Sequence, residues 1–180
     1  MIITDIYTSK KLESLIPESL IVNESSDLFN PLGKWYATVF FISRKKCLLI
    51  TNSNTKYSVI IAGINKPDFK NLSKIFTNTL IDQLKIDAIP FEETVIKNLI
   101  GTIVLHKTDN NRPIIGTQNH MLENIEVWKY RFGAFENWNF RKINRNLNKI
   151  PYKEGNLYLT PIEKMKSLLD EINTSSQHTV

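Results

Sequence analysis

The sequence predicts an α+β protein, with a small, mostly antiparallel sheet of three to five strands packed with helices and a C-terminal half that is mainly helical. Three observations lead to this fold class. Three apolar runs lie between residues 35 and 62 and are separated by short polar turns. Several other segments repeat apolar residues every three or four positions, which is typical of helices. Proline and glycine stand where such segments begin and end.

The three apolar runs predict an antiparallel meander at residues 35–42, 47–51 and 57–62. Their short connections favour antiparallel neighbours, because parallel neighbours need a long crossover. The first run is apolar on both faces, so we expect a central strand that is covered on both sides. Residues 1–7 and 102–107 predict two further strands.

Apolar stripes predict the helices, and the last helix has the clearest start. Thr160 is a typical N-cap, Pro161 suits the first helical position, and Glu163 completes a capping box. Gly133 is expected to end the longest helix. We expect helices at residues 9–16, 65–84, 91–99, 113–132 and 140–150, and from Thr160 onward.

Length and composition predict one domain over residues 1–172, followed by a disordered tail at residues 173–180. The chain has 180 residues, of which 42% are hydrophobic, and this is enough for a core. A single cysteine allows no internal disulfide, which fits a reducing compartment. The N-terminus lacks the apolar segment of a signal peptide, and no stretch approaches the roughly 18 apolar residues of a membrane span. We therefore expect a cytoplasmic protein without a membrane partner.

The excess positive charge is concentrated in one segment. The formal net charge is +5, and residues 137–153 carry five basic residues and no acidic residue, so the rest of the chain is balanced. In a helix, the basic residues four positions apart would share one outward face. Such a row suits a nucleic-acid backbone or an acidic protein partner, and the alternative is a solvated helix face without a role. The basic residues are Arg141, Lys142, Arg145, Lys149 and Lys153.

The start of the longest helix is a second candidate site. Arg112, Gln118 and Asn119 place polar groups on the first turns of a mostly apolar helix. The free N–H groups of a helix start attract anions, so a pocket for a phosphate or a polar ligand is one interpretation. In the other interpretation, Gly116 permits close packing and the amides cap neighbouring loops.

No pattern in the sequence assigns an activity. Cys47 lies in an apolar strand, where a buried thiol is common and a nucleophile is not expected. Three histidines and one cysteine, widely spaced, do not match a zinc site, and no glycine-rich phosphate loop is present. We therefore predict no metal site and no cofactor.

Four sequence blocks resemble a family. The first block is a hairpin with LGxWxAxxF at residues 32–40 and RKxCxxxTN at residues 44–52. The others are residues 63–72 at the entry into the first long helix, NRxxxGxxN at residues 111–119, and a final block at residues 145–151. Together they resemble an uncharacterised bacterial family of domains of unknown function. The resemblance covers roughly residues 1–151, and it implies a common fold but no activity.

These observations lead to one hypothesis and two alternatives. The first is a non-enzymatic binding protein that uses the basic helical surface for nucleic acid or an acidic protein. The second is a small enzyme or ligand-binding protein with a polar pocket at residues 112–119. The third is a subunit that works only inside a complex.

Overall fold

The computed structural model describes residues 2–23 and 29–177. Its strands are β1 (Ile3–Thr8), β2 (Ile21–Val22), β3 (Trp35–Ile42), β4 (Lys45–Asn52), β5 (Ser58–Ala62), β6 (Thr102–His106), β7 (Tyr152–Glu154) and β8 (Leu157–Leu159). Its α-helices are α1 (Lys10–Glu13), α2 (Leu72–Ile86), α3 (Glu93–Ile100), α4 (Arg112–Phe132), α5 (Phe140–Asn148) and α6 (Pro161–Gln177). The α+β class and the helical C-terminal half are confirmed.

The main sheet is mixed and has six strands, so the prediction of a mostly antiparallel sheet of three to five strands was wrong. Its six strands run in the order β2-β6-β1-β3-β4-β5. The meander β3-β4-β5 is antiparallel as predicted, but β2 pairs with β6, β6 with β1, and β1 with β3 in parallel. The short-turn argument applied only to residues 35–62. The long segments before β3 and β6 let those strands enter the sheet from the same end as β1.

Local sequence explains both turns of the meander. Ser43 and Arg44 join β3 to β4 with positive φ angles of 45° and 65°, as in a two-residue hairpin turn. In the next turn Asn52 is fully buried and acts through its side chain. Its Oδ1 accepts hydrogen bonds from Asn54 N and Thr55 N at 3.0 Å each, and its Nδ2 donates to Leu32 O at 2.8 Å. The turn is therefore held by one buried amide.

Helices cover both faces of the sheet, as the two-sided apolar pattern of β3 predicted. Trp35 and Val39 enter the larger core with residues of α1, α2, α3 and α6, and the Trp35 ring meets Phe76 edge to face at 5.0 Å. Phe40 and Ile42 enter the second core with residues of α4 and α5. The central strand thus separates two apolar layers.

Capping residues set the bounds of the long helices. The Asn111 Oδ1 atom accepts a hydrogen bond from Ile114 N at the start of α4, and Gly133 ends that helix with φ +65°. The predicted capping box of α6 is present, since Thr160 N and Thr160 Oγ1 both donate to Glu163 Oε2 at 2.8 Å. Helix α6 continues to Gln177, so residues 173–177 of the predicted disordered tail are helical, and the remaining tail residues lie outside the described part. Among the described helices, none is long and apolar enough to cross a membrane.

Two asparagines of α5 dock the helix onto the outer edge of β5. The Asn144 Oδ1 atom accepts from Ile60 N at 2.9 Å. Asn148 bonds twice with Ser58: its Oδ1 accepts from Ser58 N and its Nδ2 donates to Ser58 O, both at 2.8 Å. Four helical residues rise by about 6 Å and two strand residues by about 6.7 Å, so the two amides match alternate residues of the strand. The helix thereby covers a sheet edge that would otherwise expose unpaired backbone groups.

We predict that Asn148→Ala lowers the free energy of unfolding by about 2–4 kcal/mol, because the buried N–H and C=O groups of Ser58 both lose their partner. Urea unfolding measures this difference. The control is Asn146→Ala on the exposed side of the same helix, which should change the free energy by no more than about 0.5 kcal/mol. Equal losses in the two variants would contradict the docking role.

Candidate functional site

The basic residues of α5 lie on its outer face. Ile143 and Leu147 are buried in the second core, and the docking asparagines face β5, so the remaining face is left for charged side chains. Four of the five predicted basic residues line a shallow depression of about 550 Å³ and form the surface that we call the α5 basic surface: Arg141, Lys142, Arg145 and Lys149. Lys153, the fifth, is exposed on β7 and does not line this depression.

Two of these cations have carboxylate partners. An Arg141 terminal nitrogen lies 3.4 Å from Asp82 Oδ2, and both side chains are more than half exposed. Arg145 Nε lies 4.0 Å from Asp87 Oδ1, and the Asp87 side chain is inaccessible to solvent, whereas Arg145 keeps 45% of its exposure. Exposed ion pairs are worth at most about 1 kcal/mol, so Arg141 is readily available to another anion.

Asp87 follows α2 and lies at the centre of a buried hydrogen-bond network. Tyr57 Oη donates to its Oδ2 at 2.6 Å, and Gln83 Nε2 donates to its Oδ1 at 3.2 Å. Burial raises the pKa of the Asp87 carboxyl, although hydrogen bonds from Tyr57, Gln83 and Asn148 and the charge of Arg145 act in the opposite direction. Burial also raises the pKa of Tyr57, so its hydroxyl stays a donor at neutral pH. Asp87 therefore ties α2, β5 and α5 together beneath the α5 basic surface.

The lysines of the α5 basic surface have no such partners. Among the described residues, no carboxylate lies within 4 Å of Lys142 or Lys149. Four cations thus face two carboxylates, which leaves an excess of two positive charges even when Asp82 and Asp87 are both ionised.

An aromatic residue next to the row is unavailable for stacking. The Trp138 side chain is only 6% exposed, and its ring packs against Phe132 at 5.4 Å and Phe140 at 6.0 Å. Its Nε1 donates to Gly133 O at 3.3 Å. Trp138 therefore belongs to the second core and does not offer its ring to a base.

The three residues predicted for the second site do not all lie in one cavity. Gln118 and Asn119 line a crevice of about 280 Å³, whereas Arg112 is exposed and does not line it. Gln118 is buried at the inner wall, where its Nε2 donates to Tyr36 O at 2.8 Å. Two of the three polar residues predicted at this helix start thus line a cavity, but the predicted cation, Arg112, does not.

Tyr36 and Asn111 close one side of the crevice. Tyr36 Oη donates to Asp109 Oδ2 at 2.7 Å and accepts from Asn111 Nδ2 at 3.1 Å. Burial and the neighbouring Asp109 carboxylate raise the pKa of Tyr36, so the phenol stays protonated. These residues hold the loop that connects β6 to α4.

A buried pair, which sequence reasoning did not find, lies on neighbouring strands beside the crevice. His106 Nε2 lies 2.8 Å from Asp5 Oδ1, and the two side chains are 3% and 6% exposed. The Tyr7 ring, which lines the crevice, stacks on the His106 ring at 5.1 Å. His106 Nδ1 is buried and has no hydrogen-bond partner among residues 2–23 and 29–177. The alternation of residues along β1 and β6 is visible in the sequence, and it is consistent with both side chains lying on one face of the sheet. That the two side chains meet follows from the parallel register of the two strands, which only the structure shows.

The described residues give little support for a nucleophilic cysteine or for a metal site. Cys47 is fully buried, and burial raises the pKa of its thiol, which is the opposite of what a nucleophile requires. Within the described part of the chain, no group of three His, Cys, Asp or Glu side chains could hold a metal ion.

A protein-family model described as a domain of unknown function (DUF6933) matches residues 5–164. The matched region begins in β1 and ends in the first turn of α6, so it includes both candidate sites. The resemblance to an uncharacterised domain family is thereby confirmed. Among curated proteins, no significant match to the chain is found.

The raised pKa of Asp87 predicts a pH dependence of stability. The folded protein binds the Asp87 proton more tightly than the unfolded chain, so folding takes up a proton at pH values between the two pKa values. The contribution of Asp87 to the free energy of unfolding therefore falls as pH rises above about 4. Asp87→Asn removes this titration, and its stability relative to the parent protein should increase as pH rises above about 4, by at most about 1.4 kcal/mol per pH unit.

Urea unfolding at a series of pH values measures this change, with Asp82→Asn as the control for an exposed carboxylate on the same helix. If the stability of Asp87→Asn relative to the parent protein falls as pH rises, then folding lowers the pKa of Asp87 and the prediction is wrong.

Proposed function

From the premise that this chain belongs to the DUF6933 family of domains of unknown function, we propose that it is a non-enzymatic binding protein whose α5 basic surface holds the phosphate backbone of a nucleic acid. Membership of the family assigns no activity, so the proposal rests on the surface itself. The single observation that carries it is the convergence of four cations on one open depression with an excess of positive charge.

The shape of the surface supports binding of an extended ligand. Arg141, Arg145 and Lys149 are spaced by four residues, so they repeat about every 6 Å along the helix. Lys142 and the amides of Asn139 and Asn146 add donors on the same surface. Lysine, arginine and amide side chains are the groups that contact phosphate oxygens without reading bases.

The composition of the depression favours nucleic acid over an acidic protein. Protein interfaces depend on a few buried aromatic or aliphatic anchors. Among the residues that line the depression, only Ile86 is apolar, and none is aromatic. A phosphate backbone needs no such anchor, because its affinity comes mainly from counterion release. Since Trp138 is buried, we infer contacts to the backbone rather than stacking on unpaired bases.

The docking of α5 supports the proposal energetically. The asparagine bonds to β5 and the Asp87 network hold the helix before any ligand arrives. A preorganised surface loses less conformational entropy on binding. The Arg141–Asp82 pair is the main internal competitor, and its exposure makes it weak.

We predict that Lys142→Gln/Lys149→Gln weakens binding of a short DNA duplex and lowers the slope of log K against log salt by about 2, because two phosphate contacts are lost. For the parent protein, a surface with four cations should give a slope no steeper than about −4. Fluorescence anisotropy over a series of salt concentrations measures both quantities.

The matched control is Lys74→Gln/Lys166→Gln, which removes the same charge from exposed positions on α2 and α6. Its salt slope should equal that of the parent protein. If the two double variants lose affinity equally, binding follows net charge and the α5 basic surface is not the site.

A further inference from the structure

We propose that the crevice at the C-terminal ends of β1 and β6 binds a small hydroxylated oxyanion, a class that includes sugar phosphates and hydroxy acids. This site is independent of the α5 basic surface, and its lining shares no residue with the depression on α5.

The position of the crevice follows from the parallel half of the sheet. Strands β1 and β6 are parallel neighbours, and the chain leaves their C-terminal ends toward opposite faces. Leu12 of α1, which follows β1, packs in the larger core, and Met121 of α4, which follows β6, packs in the second core. Divergence of two such connections opens a gap beyond the strand ends, and ligands of open α/β sheets bind in gaps of this kind.

The lining of the crevice is rich in hydroxyl and amide groups. Of the described residues that line it, only Lys10 carries a charge. Nearby carboxylates already have protein donors: Tyr36 Oη and Asn111 N donate to Asp109, and Thr108 N donates to Glu13 Oε1 at 2.7 Å. Neither Asp109 nor Glu13 lines the crevice, whereas Lys10 does, and its positive charge favours an anion over a cation.

Ser9 and Lys10 form the donor side of the crevice. The Ser9 Oγ atom accepts from Leu12 N at 3.3 Å and from Thr38 Oγ1 at 3.1 Å. Because both bonds are accepted, the Ser9 hydroxyl proton is left to donate. A hydroxyl donor beside an ammonium group is suited to one oxyanion.

Gln118 forms the acceptor side. It lines the crevice at 5% exposure, and its amide nitrogen is turned toward the sheet, where Tyr36 O accepts at 2.8 Å and Leu49 O and Thr51 Oγ1 lie at 3.4 Å. The amide nitrogen is thereby committed to the sheet, and Oε1 is left to accept a hydrogen bond at the wall of the crevice. A hydroxyl group of the ligand can donate to this oxygen, whereas a bare anion has no proton to offer it. For this reason we assign a hydroxylated molecule rather than a bare anion.

The volume limits the size of the ligand. About 280 Å³ lies just below the usual range of ligand pockets, which begins near 300 Å³. A compact metabolite therefore fits, whereas a dinucleotide does not.

The test is an NMR titration of the whole chain with ribose 5-phosphate, with inorganic phosphate and ribose as its two fragments and lactate as a hydroxy acid. We expect amide shifts confined to residues 8–10, 36–38, 108–111 and 115–119. We also expect affinity for ribose 5-phosphate to exceed that for either fragment. Lys10→Glu should weaken it about tenfold or more, because a charge-assisted bond is replaced by repulsion.

The matched control is Lys11→Glu, the next residue of the same short helix, which is exposed and does not line the crevice. It should retain the affinity of the parent protein. Shifts only at residues 139–149 would assign the anion to the α5 basic surface and overturn the proposal, as would the absence of shifts with all four probes. Equal affinity for inorganic phosphate and ribose 5-phosphate would overturn the role of Gln118.

Discussion

The architecture depends on how the protein closes the open edge of its sheet. Strand β5 is the last strand of the meander, and its outward backbone groups would be unpaired and buried beneath a helix. Asn144 and Asn148 satisfy three of these groups with side-chain amides, so α5 takes the place of a further strand. Because hydrogen bonds are directional, this docking fixes the rotation of α5 about its axis as well as its position.

The rotation of α5 determines what the outer surface presents. With two faces of the helix committed to the core and to β5, the basic residues are left on the solvent side. Asp87 stabilises this orientation of α5 from the buried side of the helix. It contacts Tyr57 next to β5, the docking residue Asn148, and Arg145 of the α5 basic surface. The same buried carboxylate thus connects the stability of the fold to the placement of its cations.

The two halves of the sheet support two different kinds of site. The antiparallel half ends at an edge and carries an open, cationic helix surface, which suits a large polyanion. The parallel half ends in diverging connections and contains a small crevice, which suits a compact ligand. Side-chain amides support both halves: Asn52 holds a turn, Asn111 caps α4, Gln118 lines the crevice and Asn148 docks α5.

The sequence by itself determined the meander, strands β1 and β6, the long helices and the clustering of positive charge, because periodicity, capping and net charge are local properties of the chain. It did not predict the short strands β2, β7 and β8, whose two or three residues are too few to show a period. Only the tertiary structure decided the strand order, the pairing of His106 with Asp5, the burial of Trp138 and the exclusion of Arg112 from the crevice. Each of these depends on which distant segments meet. Such contacts are set by the packing of whole faces, and a stripe of apolar residues indicates that a face is buried without indicating what covers it.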